Sequence, residues 1–281
     1  MARSVLITGC SSGIGAHAAH ALQARGWRVF ASARREEDVA ALRAARLSEA
    51  LPLDLADDDS IRAAVERVRE ATDGAGPDAL FNNGAFGQPG AVEDLDRALL
   101  RASFETNLFG TLALTNALLP DMRARGAGRI VMNGSVLGLI ALPFRGAYTA
   151  TKFALEGLTD TLRLELAGTG IHVSLIEPGP IRSRFRENAH ANFNAHIDRD
   201  HSPFRDTYTR VEKRLADDTD APFTRDPDAV TKRLIHALEH PRPKPRYPVT
   251  GATYILGGAR RLLTTRALDR LLRRISRGEN A

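Results

Sequence analysis

Residues Ser4 to Gly15 (Ser-Val-Leu-Ile-Thr-Gly-Cys-Ser-Ser-Gly-Ile-Gly) constrain the fold of this chain more than any other stretch. Val5, Leu6 and Ile7 form a short apolar run of the kind that buries as a strand. Gly9, Gly13 and Gly15 follow at G-x3-G-x-G spacing. Lacking Cβ atoms, they let the backbone turn tightly and let a ligand approach it closely. A helix is expected from about Ile14 to Arg25. Its N-terminal N–H groups and positive dipole end would face the loop, where an anion such as a pyrophosphate fits. Ser11 and Ser12 can donate further hydrogen bonds. An ordinary strand-to-helix turn has the same order, so the loop alone does not assign a ligand.

Further along, short apolar runs alternate with helical patterns. Strands are expected at 4–8, 28–33, 49–53, 78–82, 129–134 and 172–177, and helices at about 14–25, 36–45, 59–72, 95–124, 147–167 and 226–238. Such alternation argues for an α/β fold with a parallel sheet between helical layers. In such sheets a ligand lies beyond the carboxyl ends of the strands, at the switch point. Gly9, Asn83, Ser135 and Pro178 each follow an expected strand and should converge there. The Pro-rich stretch 241–248 reads as an extended connector.

Tyr148 and Lys152 stand four residues apart in Tyr-Thr-Ala-Thr-Lys. On a helix this spacing puts both side chains on one face. An ammonium beside a phenol favours the phenolate, so a lowered Tyr148 pKa is expected, and a phenol tuned in this way can exchange a proton with a carbonyl oxygen. Surface helices carry the same pair by chance. Ser135, thirteen residues earlier, would hydrogen-bond that oxygen and stabilise its charge. Asn107 lies in Phe-Glu-Thr-Asn-Leu-Phe-Gly, where a polar side chain more often caps or kinks a helix.

Taken in register, these segments resemble the short-chain dehydrogenase/reductase family over roughly residues 3–185. Thr8 to Gly15 is similar to its TGxxxGxG loop. Asp54 in Leu-Pro-Leu-Asp-Leu is similar to the acid that contacts the adenine. Asn82-Asn83-Gly84-Ala85 is similar to the NNAG segment with its last two residues exchanged, and Pro178-Gly179-Pro180 to the segment near the nicotinamide. The resemblance implies a Rossmann-type doubly wound sheet in three layers. It implies a catalytic set of Asn107, Ser135, Tyr148 and Lys152. Asn107 would hold a water that relays protons to Lys152, and Lys152 would also hold the nicotinamide ribose. Cofactor contacts are expected from Gly9, Ser11, Ser12, Gly13, Ile14, Gly15, Arg34, Asp54, Leu55, Asn83, Gly84, Tyr148, Lys152, Pro178, Gly179 and Ile181. The surrounding sequence resembles the branch of 17β-hydroxysteroid and retinol dehydrogenases, and bacterial relatives that reduce aldehydes and ketones. That implies a hydrophobic carbonyl or alcohol substrate. The branch also implies a last strand near Tyr247 and a homodimer or homotetramer. A non-catalytic redox sensor on the same fold is the alternative, but a sensor has no need of all four catalytic side chains.

Charge argues for the cofactor. A carboxylate after the second strand would bind a ribose 2′-OH and favour NAD(H). Ala33 stands there, followed by Arg34, whose guanidinium can pair with the 2′-phosphate of NADP(H). Ser32 can assist. A solvated loop charge is the competing account of Arg34.

At 281 residues, 43% hydrophobic and 26% charged, the chain suits one soluble domain. The division read here is a Rossmann-type domain over 1–257, with 184–225 closing over the substrate, and a basic amphipathic helix over 258–281. The single cysteine, Cys10, excludes an internal disulfide and suits a reducing, cytoplasmic compartment. Cys10 is read as a small loop residue rather than a reactive thiol. No secretory signal or 18-residue apolar run is visible. The histidines show no metal-ligand spacing, and no nucleic-acid-binding motif occurs.

Two regions leave alternatives open. Phe185, Phe193, Phe204, Tyr208 and Phe223 in 184–225 can line a lipophilic pocket or anchor the segment to the core. Between Arg260 and Arg277 there are seven arginines and one acid, Asp269, so the net +5 of the chain is concentrated there. Leu262, Leu263, Leu268, Leu271, Leu272 and Ile275 recur at helical spacing. Residues 260–277 can therefore pack on the domain, or lie on the inner face of an anionic membrane.

Overall fold

The computed structural model describes residues 2–217 and 219–279. Met1, Asp218, Asn280 and Ala281, which fall within the ranges 1–257, 184–225 and 258–281, lie outside the described residues. Seven parallel strands form one sheet in the order β3-β2-β1-β4-β5-β6-β7. They are β1 (Ser4–Ile7), β2 (Arg28–Ala33), β3 (Leu51–Pro52), β4 (Ala79–Asn82), β5 (Gly128–Asn133), β6 (Ile171–Glu177) and β7 (Arg246–Pro248). The chain reverses direction across the sheet between β1 and β4, where Val5 pairs with both Val29 and Ala79. That switch point is where the strand ends leave a crevice.

Side-chain alternation along β1 explains the three layers. Val5 and Ile7 face one apolar core, built with α1 (Gly13–Ala24), α2 (Glu36–Ala44) and α9 (Asp228–Glu239). Leu6 faces the other, built with α3 (Asp58–Ala71), α5 (Gly110–Arg125) and α6 (Gly146–Glu165). Fully buried Leu114, Leu118 and Met122 fasten α5 there, at roughly 1.5–3 kcal/mol per side chain removed from water. Aspartates start two helices: Asp57 accepts from Asp59 N at 2.9 Å, and Asp96 from Leu99 N at 2.7 Å.

Several expectations are corrected. The strand expected at 49–53 pairs only at Leu51–Pro52, an edge position where a missing proline N–H is tolerated. The connector at 241–248 contains β7, whose Tyr247 pairs with Ile176. The single helix expected over 95–124 is α4 (Arg97–Phe104), a π-helical turn (Glu105–Phe109) and α5. The wide turn holds Asn107 buried.

Segment 184–225 contains two helices, α7 (Phe185–His196) and α8 (Arg205–Ala216). Phe193 and Tyr208 are fully buried in a third apolar cluster with Leu95 and Ala147, and Phe204 packs on it. Three of the five aromatics are therefore internal anchors. Phe223 is exposed, and Phe185 reaches the site described below. Phe144 joins the same cluster with a left-handed backbone (φ 61°), its ring edge-on to those of Phe204 and Tyr208.

The basic tail is two helices, α10 (Gly251–Leu262) and α11 (Thr265–Glu279), and residue 257 falls inside α10. Leu268 and Leu272 of α11 are buried against Ile140 and Leu256, with Leu271 and Ile275 beside them. Leu262 and Leu263 do not fold back with them; Leu262 is 86% exposed. Among the described residues no helix is long and apolar enough to cross a membrane.

Candidate active site

The loop after β1 is tied to the loop after β4. Thr8 Oγ1 accepts hydrogen bonds from Asn83 N (2.9 Å) and Gly84 N (2.7 Å). Asn83 Nδ2 donates to Thr8 O (2.9 Å) and Gly9 O (3.1 Å). Gly9 adopts φ 70°, and a Cβ on Gly15 would stand 2.2 Å from Gly9 O, so the helix start can press this closely only on glycine. Ser12 begins α1, and its hydroxyl forms no capping bond. The first-turn N–H groups and this hydroxyl are thus available to an anion, which fits a pyrophosphate. Ile14 and Ile181 are half-buried against the apolar core behind the loop. Cys10 is buried, its thiol pushed up to about 12 by burial, which makes it an inert loop residue.

After β3, Asp54 is half-buried and accepts from Ala56 N at 2.9 Å, and buried Leu55 abuts Gly84. Arg34 is exposed immediately after β2 and forms no ion pair among the described residues. Its neighbour Arg35 is engaged with Asp38 (2.8 Å) and Glu37 (3.1 Å). Ser32 does not assist Arg34: it is buried, and its hydroxyl donates to Ile7 O at 3.1 Å.

The four expected catalytic residues stand at this same end of the sheet. Ser135 follows β5 and accepts from Leu137 N at 3.1 Å. It shares a hydrogen bond with the Tyr148 hydroxyl. Lys152, one turn along α6, donates to Asn133 O at 2.6 Å, and its Nζ lies 5.5 Å from the centre of the Tyr148 ring. Asn107 Oδ1 accepts from Phe86 N (3.0 Å), and its Nδ2 donates to Phe86 O (2.9 Å). The Asn107 side chain thus fixes the loop after β4. Pro178 O accepts from Val136 N at 2.7 Å, holding the segment after β6 against Ser135. Gly179 lies so close to Thr250 that a Cβ would meet its Oγ1 at 2.1 Å.

The electrostatics correct one expectation. Burial pushes the Tyr148 pKa up to about 12, and the Ser135 hydrogen bond only partly offsets this. The neighbouring Lys152 does not outweigh that burial; burial also pushes its own pKa down to about 8, despite the nearby Glu156 charge. The linkage has a measurable consequence. Between pH 8 and 10.5 the unfolded chain holds the Lys152 proton more tightly than the folded one, so stability rises with pH across that window. Lys152→Met should therefore raise the melting temperature of the unliganded protein at pH 7, by up to about 3 kcal/mol of stability, while removing activity. The gain should vanish near pH 10.5. A variant less stable than wild type at pH 7 would refute this account.

Sequence reasoning missed several participants. Asn133 bridges the lysine and the cofactor loop: its O accepts from Lys152, and its Nδ2 donates to Asn83 Oδ1 at 2.9 Å. Its place at the end of β5 was the available signal. Phe185 of α7 packs edge-on to Tyr148 with ring centres 5.2 Å apart. Behind the site, Arg246 of β7 donates to Glu177 (2.7 Å), Asp160 (2.6 Å) and Glu156, clamping α6 to β6. Burial nevertheless raises the Glu156 pKa to about 7.

The sequence profile of the short chain dehydrogenase family matches residues 3–193. This chain belongs to that family. As a family member it is an oxidoreductase acting on CH–OH or C=O groups with a nicotinamide cofactor. It is 41% identical over 273 residues to an Escherichia coli K12 protein described as uncharacterized oxidoreductase YbbO, covering 97% of this chain and 94% of that one. It is 38% identical over 264 residues to human 17-beta-hydroxysteroid dehydrogenase type 1, covering 89% and 78% of the two chains. A solved short-chain dehydrogenase from Streptomyces avermitilis has the same fold. Its TM-score is 0.77 at 30% identity, covering 99% of this chain and 98% of that one.

Proposed function

We propose that this family member reduces a hydrophobic aldehyde or ketone with NADPH, with Tyr148 as proton donor. The observation that carries the reading is the convergence of Tyr148, Ser135 and Lys152 beside the Gly9–Gly15 loop, linked to it through Asn133 and Asn83. Gly9, Ser11, Ser12, Gly13, Ile14 and Gly15 would hold the pyrophosphate. Asp54, Leu55 and Gly84 would hold the adenine side. Asn83, Lys152, Pro178, Gly179 and Ile181 would hold the nicotinamide half.

A bound nicotinamide supplies the hydride that reaches the carbonyl carbon. Tyr148 gives its phenolic proton to the carbonyl oxygen, so the product is the alcohol. Ser135 hydrogen-bonds that oxygen and stabilises its developing charge. Lys152 orients the ribose and returns a proton towards Tyr148, with Asn107 fixing the surrounding loop. A phenol held protonated by burial is the form that reduction requires, which supports this direction.

Phe185, edge-on to Tyr148, presents an apolar ring to the site, which supports an apolar substrate. The likeness to a 17-beta-hydroxysteroid dehydrogenase supports the same class. Association as a homodimer or homotetramer belongs to this reading, supported by Phe153, Leu158 and Leu164 left exposed on α6. The deciding experiment is a panel of aldehydes, ketones, steroids and retinoids, followed by loss of NADPH absorbance. No turnover of any carbonyl would sink the reading.

Ala33 and Arg34 support NADP(H) over NAD(H). Ala33→Asp with Arg34→Ala replaces a cation by a carboxylate beside the 2′ position. Preference should move towards NADH by at least about tenfold, about 1.4 kcal/mol, measured as the ratio of kcat/KM values. Equal use of both cofactors by the wild type would count against the assignment.

A further inference from the structure

We propose that the arginine face of α11, with the exposed apolar side chains of α10 next to it in the chain, is a docking surface for an anionic phospholipid bilayer, which the protein contacts peripherally.

The face is built by helical spacing. Arg266, Arg270, Arg273 and Arg277 follow one another at i, i+4, i+7 and i+11, so they share one stripe of α11, with Arg274 beside it. All five are exposed. Leu268 and Leu272 are buried on the opposite stripe, with Leu271 and Ile275 packed at its side. Packing on the domain and contact with a partner therefore use opposite faces of one helix, and the first leaves the second open.

The stripe has no counter-charge of its own. Other exposed arginines are met by acids, as Arg182 is by Asp220 and Asp226, and Arg25 by Glu239. The five arginines of α11, and Arg260 and Arg261 before them, form no ion pair among the described residues. Asp269 is the one acid between Arg260 and Arg277. Like charges one helical turn apart repel and weaken a helix, so folding alone gives no reason for the stripe. An anionic surface outside the molecule does.

Apolar side chains identify that surface. Tyr254, Ile255 and Leu262 of α10 are 55%, 56% and 86% exposed, and exposed Leu263 follows in the link to α11. Tyr254, Gly258 and Leu262 stand at i, i+4 and i+8, and a Cβ on Gly258 would meet nothing within 4 Å, so their stripe is open. Leu262 and Leu263 lie between Arg261 and Arg266, and every residue from 260 to 266 is exposed. Cations flanking apolar side chains suit the boundary between headgroups and acyl chains. There the guanidiniums pair with lipid phosphates while the leucines and Tyr254 enter the apolar layer. A nucleic acid backbone would meet the arginines and leave the leucines in water. A second copy of this chain would bring the same positive stripe against itself.

The test uses the whole chain, sedimented with vesicles of phosphatidylglycerol mixed with phosphatidylcholine, or of phosphatidylcholine alone. Wild type should pellet with the anionic vesicles only, and less as salt rises. Replacing Arg266, Arg270, Arg273 and Arg277 together by Gln should weaken binding by about 100-fold or more, since each cation near an anionic surface contributes about fivefold. Leu262→Ser should weaken it by about tenfold, the scale of one leucine returned to water. Both variants should keep the wild-type melting temperature and carbonyl-reducing activity, because the altered side chains are exposed and distant in the chain from the catalytic residues. Failure of wild type to pellet, or equal pelleting of the four-Gln variant, would overturn the proposal. So would a lower melting temperature in that variant, which would assign the arginines to packing. Tighter binding to duplex DNA than to the vesicles, or undiminished binding by Leu262→Ser, would replace the bilayer with a purely polyanionic partner.

Discussion

Tyr148→Phe should lower turnover by roughly 100-fold or more, the contribution of a positioned general acid, while leaving cofactor affinity close to wild type. The substitution keeps the ring that packs edge-on to Phe185 and removes only the hydroxyl bonded to Ser135. The fold should be undisturbed, because the change removes one hydroxyl and Tyr148 is not part of either main apolar core. The measurements are steady-state kinetics on the best carbonyl found in the panel and a fluorescence titration with NADPH. A Tyr148→Phe enzyme turning over near the wild-type rate would remove Tyr148 from the mechanism. Loss of NADPH binding with the fold intact would show that the hydroxyl serves the cofactor instead.

Deleting residues 264–281 should lower the melting temperature by roughly 10 °C. The deletion removes buried Leu268 and Leu272 and uncovers Ile140 and Leu256. Two leucines at about 1.5–3 kcal/mol each and about 2–4 °C per kcal/mol for a chain of this size give that figure. Ile140 belongs to the stretch that follows Ser135, so activity should fall at temperatures where the truncated protein is still folded. Scanning calorimetry and initial rates test both statements. An unchanged melting temperature would mean that α11 contributes no packing. Salt-sensitive pelleting with anionic vesicles that needs α11 would instead identify the exposed arginines as a membrane contact.

What the sequence disclosed was local in range. Strand, glycine turn and helix follow one another within Ser4–Ala24, and Tyr148 and Lys152 share a face of α6 because their spacing matches one helical turn. These features need only short-range rules. The clamp of Glu156 by Arg246 joins residues 90 apart, and the bond from Asn133 to Asn83 joins residues 50 apart. No local pattern announces either. β7 was expected only from the family resemblance, because its three paired residues, with Pro245 before them and Pro248 at their end, carry no strand pattern of their own. The direction of the Tyr148 pKa was missed for a related reason. Helical spacing names the neighbour, but the depth of burial that outweighs it is set by the whole fold. Phe193 and Tyr208 read as candidate pocket lining because an aromatic in a polar segment has no internal mark saying which side of it will be covered.

The order of the chain gives the Arg246 clamp a consequence for biosynthesis. Asp160 has a second partner in Arg163, but Glu156 and Glu177 are neutralised through Arg246. During translation both acids emerge well before the cation that settles them. A nascent protein can assemble the cofactor loop, β1 to β6 and the Tyr148 helix, yet it carries two carboxylates facing the interior until β7 leaves the ribosome and docks. The clamp that braces α6 behind Tyr148 and Lys152 therefore closes only after β7 has been made.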